Sequence, residues 1–202
     1  LLLKGNSSPL LLSSSLMSRH RYQTKAFVLG GISLGEANRF VDLFTEDLGR
    51  MYGVARSIRE ERSKLRFSLQ DFSLVDVSLV RGKDVWRIVG AEAVQNIHFA
   101  LQGRTEERDM MLRFINLLRR LLGGEEENKE LFVVLADALT FISETPLNKE
   151  ERDNFECLVV LRMLHNLGYL AKNNHNAQFL DAKDVNRTLV SHLSPMRLSM
   201  IK

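Results

Sequence analysis

Between residues 25 and 93 apolar side chains recur at every second position in short runs. These are KAFVLGGIS (25–33), NRFVDLFTE (38–46), GRMYGVARSIR (49–59), FSLVDVSLV (72–80) and DVWRIVGAE (84–92). A period of two belongs to a strand with one wet face. It is clearest where Val75, Val77 and Leu79 alternate with Asp76 and Ser78. Turn signals separate the runs: Leu34-Gly35-Glu36-Ala37, Asp47-Leu48-Gly49, and Arg81-Gly82-Lys83, which predicts a hairpin. Five short strands in so little chain point to a small closed barrel, of which the OB-fold is the common five-stranded example that binds oligonucleotides.

After His98 the period changes. Met111, Phe114, Ile115, Leu118, Leu121 and Leu122 recur at helical spacing, so 105–122 reads as an amphipathic helix with Thr105 as N-cap and Gly123-Gly124 as its stop. Leu131, Val134, Leu135, Ala138 and Ile142 mark a second helix that ends before Pro146. Asn148 and Glu151 have capping-box spacing and open a third, apolar around much of its circumference and so central to a bundle. Residues 181–193 form a weaker helical candidate, and Ser194-Pro195 carries the signature of a helix start close to the end of the chain, as if that helix were cut short. The pattern therefore predicts an α+β, multi-domain chain: an N-terminal five-stranded OB-fold β-barrel followed by an α-helical bundle. Its divisions are an extension without a fold of its own (1–20), the barrel (21–97) and the helical region (98–202), truncated at its C-terminus.

Composition adds bounds. The 202 residues are 45% hydrophobic and 26% charged, an ordinary globular balance. The net charge of +3 is unevenly placed, with ten Lys/Arg against six Asp/Glu from residue 17 to 66 and a slight acidic excess thereafter. Cys157 is the only cysteine, which excludes an intrachain disulfide and a cysteine-based zinc site; its apolar neighbours predict a buried thiol. His20, His98, His165, His175 and His192 are scattered and include no helical ligand pair. No metal or cofactor is expected. Nothing approaches the length of an apolar membrane span, and a cytoplasmic, reducing setting is expected.

Candidate chemistry concentrates in 49–70, GRMYGVARSIREERSKLRFSLQ, which begins as a strand and becomes a basic loop. Arg50, Arg56, Arg59, Arg62, Lys64 and Arg66 face only Glu60 and Glu61. Guanidinium forks match phosphate oxygens and release condensed counterions, so such a loop suits a nucleic-acid backbone; a solvated turn is the plainer reading. Tyr52 and Trp86, each with basic neighbours, are candidates for base stacking, although most aromatic residues of so small a barrel must fill its core. No catalytic set emerges. Glu36, Asp42, Glu46 and Asp47 cluster as acids on a wet strand face do, with no nucleophile or base to match. The chain is thus expected not to be an enzyme.

The order of several motifs carries a family likeness. LGEANRFVDLFTEDLGR (34–50), VARSIR (54–59), SKLR (63–66), LQDF (69–72), the Trp86-Arg87-Ile88 to Ala91-Glu92 strand and FECLVVLRMLHNLGYL (155–170) together resemble the bacterial recombination mediator family RecO. The resemblance implies a DNA-repair protein that binds single- and double-stranded DNA and anneals complementary strands. It also implies help in loading RecA onto strands coated by single-strand-binding protein, with RecR and that coating protein's acidic C-terminal tail as contacts. Membership implies a bacterial, nucleoid-associated setting. By position, the implied DNA-binding residues are Arg39, Arg50, Arg56, Arg59, Arg62, Lys64 and Arg66. Many members carry a four-cysteine zinc motif after the LGY segment; here Asn173, Asn174 and His175 follow instead, so zinc is not expected. The alternative is a generic OB-fold module for RNA or single strands whose helices serve as a protein contact.

Overall fold

The computed structural model describes residues 20–58, 60, 63–182 and 184–193. Five strands, β1 (Arg21–Leu34), β2 (Asn38–Thr45), β3 (Gly49–Ala55), β4 (Ser73–Arg81) and β5 (Trp86–Asn96), close into a barrel in the order β1-β2-β3-β5-β4. All neighbours are antiparallel except β3 and β5, which pair in parallel from Gly53↔Trp86 to Ala55↔Ile88. This is the predicted OB architecture. The alternation seen in the sequence sorts the side chains. Ala26, Val28, Val41, Leu43, Met51, Val75, Val77, Leu79 and Ile88 fill the interior, while Phe27, Leu29 and Phe44 point outward yet are equally buried. The outward set is covered by helices.

The helices are α1 (Lys64–Ser68), α2 (Ile97–Ala100), α3 (Thr105–Leu121), α4 (Lys129–Glu144), α5 (Lys149–Asn166), α6 (Ala177–Asp181) and α7 (Arg187–His192). The apolar stripe of α3 and the faces of α4 and α5 join Phe27, Leu29, Phe44, Leu74 and Ile97 of the barrel in one continuous core. Phe132 of α4 reaches the barrel wall, its ring 5.2 Å from Phe27 and 5.8 Å from Phe44. The Asn148 capping box is formed as predicted, with side chain and backbone bonded reciprocally to Glu151. No helix among the described residues is long and apolar enough to cross a membrane.

Several boundaries differ from the sequence reading. The third strand ends at Ala55 because pairing with β2 ends at Arg39↔Ala55; Asn38 Oδ1 accepts the Ser57 N–H at 3.1 Å, and Ser57 turns the chain with a φ of 50°. The segment beyond folds partly into α1, which the basic composition did not announce. Ile58 and Leu69, with half-buried Leu65, belong to the barrel interior and close that end of the barrel. Arg104, not Thr105, precedes α3, and instead of capping it the guanidinium donates to the Ile142 and Thr145 carbonyls at 2.6 and 3.0 Å. Within the weak candidate at 181–193 the helix is α7, and α6 precedes it, ending at Asp181. Cys157 is half-buried, packed at the edge of the core. The N-terminal extension and the helix start at Ser194-Pro195 lie outside the described residues.

Candidate nucleic-acid interface

The outer surface of β2 and β3 is the natural place to look, since OB-folds bind strands across that face. Outward positions along β3 are Arg50, Tyr52 and Val54, followed by Arg56. The register sets Phe40, Asp42 and Phe44 of β2 beside Val54, Tyr52 and Arg50. At one end this face is covered by the helical region; at the other it is open.

The covered end is a polar seam. Arg50 grips Asp42 with both arms, Nε at 3.0 Å and Nη2 at 2.9 Å, and its Nη1 donates to the Arg119 and Leu122 carbonyls at 2.7 and 3.0 Å. One guanidinium thus neutralises a carboxylate whose side chain is 6% exposed and satisfies carbonyls near the C-terminus of α3. The Asp42 bonds hold the Arg50 pKa above its ordinary value despite the opposing effect of burial. The Arg50 N–H donates to the Gly124 carbonyl at 3.1 Å, and the Glu126 backbone occupies the space where a Cβ on Gly49 would stand. That crowding, with a φ of +70°, restricts the position to glycine. Asp47 adds a bond from the Thr24 hydroxyl at 2.7 Å and an ion pair to Lys129 at 3.1 Å, which together lower its pKa.

The open end carries apolar and basic groups together. Phe40 and Tyr52 stack with ring centroids 5.2 Å apart and planes 5° from parallel, and Tyr52 remains 43% exposed. The β1–β2 pairing places exposed Ile32 and Leu34 alongside, opposite Phe40 and Asn38. Beyond them Arg56, Lys64 and Arg66 are exposed and have no ion-pair partner among the described residues. Arg87 of β5 lies beside Val54 in the parallel register.

The candidate residues therefore separate. Arg56 follows Tyr52 and Val54 just past the end of β3, and Lys64 and Arg66 are exposed on α1. Arg50 sits in the seam. Arg39 is also engaged internally, donating to the Leu69 carbonyl at 2.6 Å and pairing with Asp71, which ties β2 to the segment after α1. Arg59 and Arg62 lie outside the described residues. Trp86 is 5% exposed, its ring packed edge-on to Tyr22 at 5.3 Å and covered by Arg81 at 4.8 Å, with Nε1 donating to Glu125 at 3.1 Å. Phe40, not among the stacking candidates read from the sequence, joins Tyr52 here; its register opposite Val54 and next to Tyr52 is a tertiary fact that spacing alone could not supply.

A closed five-stranded OB barrel docked on a helical bundle defines the class of protein: an OB-fold domain joined to a helical domain. Comparison with known proteins makes the assignment particular. Residues 17–97 match the family described as recombination protein O N terminal. DNA repair protein RecO of Dehalococcoides mccartyi is 38% identical over 86 residues, 41% of this chain and 34% of that protein. The RecO proteins of Rubrobacter xylanophilus (32% over 130 residues, 55% of this chain, 51% of that protein) and Heliobacterium modesticaldum (30% over 148 residues, 73% and 52%) extend the likeness into the helices. The chain belongs to the RecO family. The aligned stretches span from a third to about half the length of these relatives.

Proposed function

We propose that this chain is a DNA-binding recombination mediator in DNA repair, acting without catalytic turnover. It anneals complementary strands and assists RecA loading on single-stranded DNA coated by single-strand-binding protein, with RecR as partner. The observation that carries the reading is the open end of the β2–β3 face: exposed Tyr52 stacked on half-buried Phe40, with Arg56 just past the same strand and Lys64 and Arg66 exposed on α1, in a barrel matched to the RecO N-terminal family. Cations without protein partners are free to replace the counterions of a phosphate backbone, and an exposed ring offers a sequence-tolerant platform for a base. Arg39 and Arg50, with their donors committed to protein acceptors, are assigned to positioning rather than to DNA.

Contact with the acidic tail of the coating protein rests on the family reading alone. The cavity of about 530 Å³ between α4, α5 and α6 is lined by Lys129, Arg162 and His165 but also by Glu130, Asp137 and Asp181, a charge mixture that does not favour an acidic tail.

The test is annealing of two complementary DNA strands precoated with single-strand-binding protein. Acceleration by the wild-type protein is expected. The Arg56→Gln/Lys64→Gln/Arg66→Gln variant should lower the salt slope of single-strand binding by about two log units per decade of salt, roughly 0.7 per phosphate contact. Equal affinity for RNA with no annealing would replace this reading with a generic single-strand binder.

A further inference from the structure

At the end of the barrel opposite α1, the turn between β4 and β5 brings Arg81 and Trp86 together as register partners. Arg81 lies over the indole at 4.8 Å, a cation–π arrangement, and both groups direct N–H donors to one place. That place is filled by the chain itself. Glu125, from the connection between α3 and α4, accepts from Arg81 Nη1 at 3.0 Å through Oε2 and from Trp86 Nε1 at 3.1 Å through Oε1. A guanidinium and an indole N–H receiving two oxygens of one anion form a two-point site that a phosphodiester, with two non-bridging oxygens, satisfies equally well.

Other observations indicate that the occupant can leave. Arg81 and Glu125 are 63% and 46% exposed, so their ion pair is of the weak, solvent-screened kind. Glu125 stands between Gly124, whose carbonyl accepts the Arg50 N–H, and Glu126, whose backbone packs against Gly49, so the backbone is anchored and the exposed side chain alone swings out of the clasp. Around the clasp, exposed Arg21 and Lys83 and half-buried Arg87 have no ion-pair partner among the described residues and stand against Asp84 in the same turn and Glu126 next to Glu125. Arg87 also neighbours Val54, which connects this end to the Tyr52 face along β3.

We propose that the Arg81–Trp86 clasp is a backbone-phosphate subsite for a nucleic-acid strand, and that Glu125 is its built-in competitor. In the free protein the glutamate occupies the clasp; a bound strand displaces it and gains a contact beyond those of the open β2–β3 end. The inference rests on the nucleic-acid reading above and adds to it a site and a means of restraining affinity.

The experiment is binding of a labelled oligothymidylate by fluorescence anisotropy across a salt series, using the whole chain. Glu125→Gln should bind about fivefold more tightly at 0.1 M salt and steepen the salt slope by about 0.7, the signature of one added single-strand phosphate contact. Glu125→Asp keeps the charge but cannot span both donors, and should move affinity the same way. Glu127→Gln makes the same charge change away from the clasp and should leave the slope unaltered. Adding Arg81→Gln to Glu125→Gln should return affinity to the wild-type level. Unchanged affinity in both Glu125 variants overturns the proposal, as does a gain that persists without Arg81, which would be a general charge effect. Absence of salt-dependent binding by wild type and every variant would instead overturn the nucleic-acid reading itself.

Discussion

Arg50 and Arg56 stand six residues apart on the outer side of the same barrel edge, one at the start of β3 and the other just past its end. Arg50 spends its donors on Asp42, two carbonyls of α3 and the Tyr52 hydroxyl, and so joins the barrel to the helical region. Arg56 is exposed and bonds to nothing among the described residues. Both belong to one basic stretch of sequence. The difference lies in what is packed above them: the C-terminus of α3 presents unsatisfied carbonyls over one, and water covers the other. A cation density in sequence therefore marks a candidate surface, but the share of it free to meet a ligand is set by neighbouring elements.

The seam end should fail first when cut. Phe132→Ala removes the ring that bridges α4 to Phe27 and Phe44, and a loss of about 3–5 kcal/mol in urea unfolding is expected. A loss below about 1 kcal/mol would mean that barrel and bundle do not depend on a shared core. Arg50→Ala leaves the buried Asp42 carboxylate with only Arg119, 3.7 Å away, and should cost about 2–3 kcal/mol, whereas Arg56→Ala should stay within about 0.5 kcal/mol by the same measurement. Equal costs would erase the distinction drawn between them. At the open end, Tyr52→Leu should weaken single-strand binding by about tenfold with the salt slope unchanged, since stacking releases no counterions. A changed slope would show the ring acting through the charges around it.

The smallest effect is a pH dependence at the seam. The Thr24 hydroxyl bond and the Lys129 pair lower the pKa of Asp47 below the ordinary aspartate value of 3.8. The folded state thus binds this proton less readily than the unfolded chain, so the stabilisation is complete above 3.8 and fades as pH falls through the lower folded value. Asp47→Asn should flatten that acid limb in a plot of Tm against pH by lowering Tm slightly at neutral pH, with Tm at the acid end nearly unaltered. An unchanged limb would assign acid sensitivity to other carboxylates.

What was legible in the sequence is what local periodicity encodes. The five strands, the amphipathic stripe of α3, the Asn148 capping box and the order of barrel before helices follow from apolar spacing and cap chemistry within a few residues of chain. The aromatic and basic character of 49–70 was equally plain. Contact across long sequence separations was not. Arg50 meets Leu122, Trp86 meets Glu125, and Arg39 meets Leu69, each pair brought together only when the barrel closes and the bundle docks. Composition could nominate these side chains as ligands for DNA because an arginine or tryptophan has the same donors whether its partner is a phosphate or a carbonyl. Tertiary structure supplied each with an acceptor from the chain, since burying a polar group without a partner is costly.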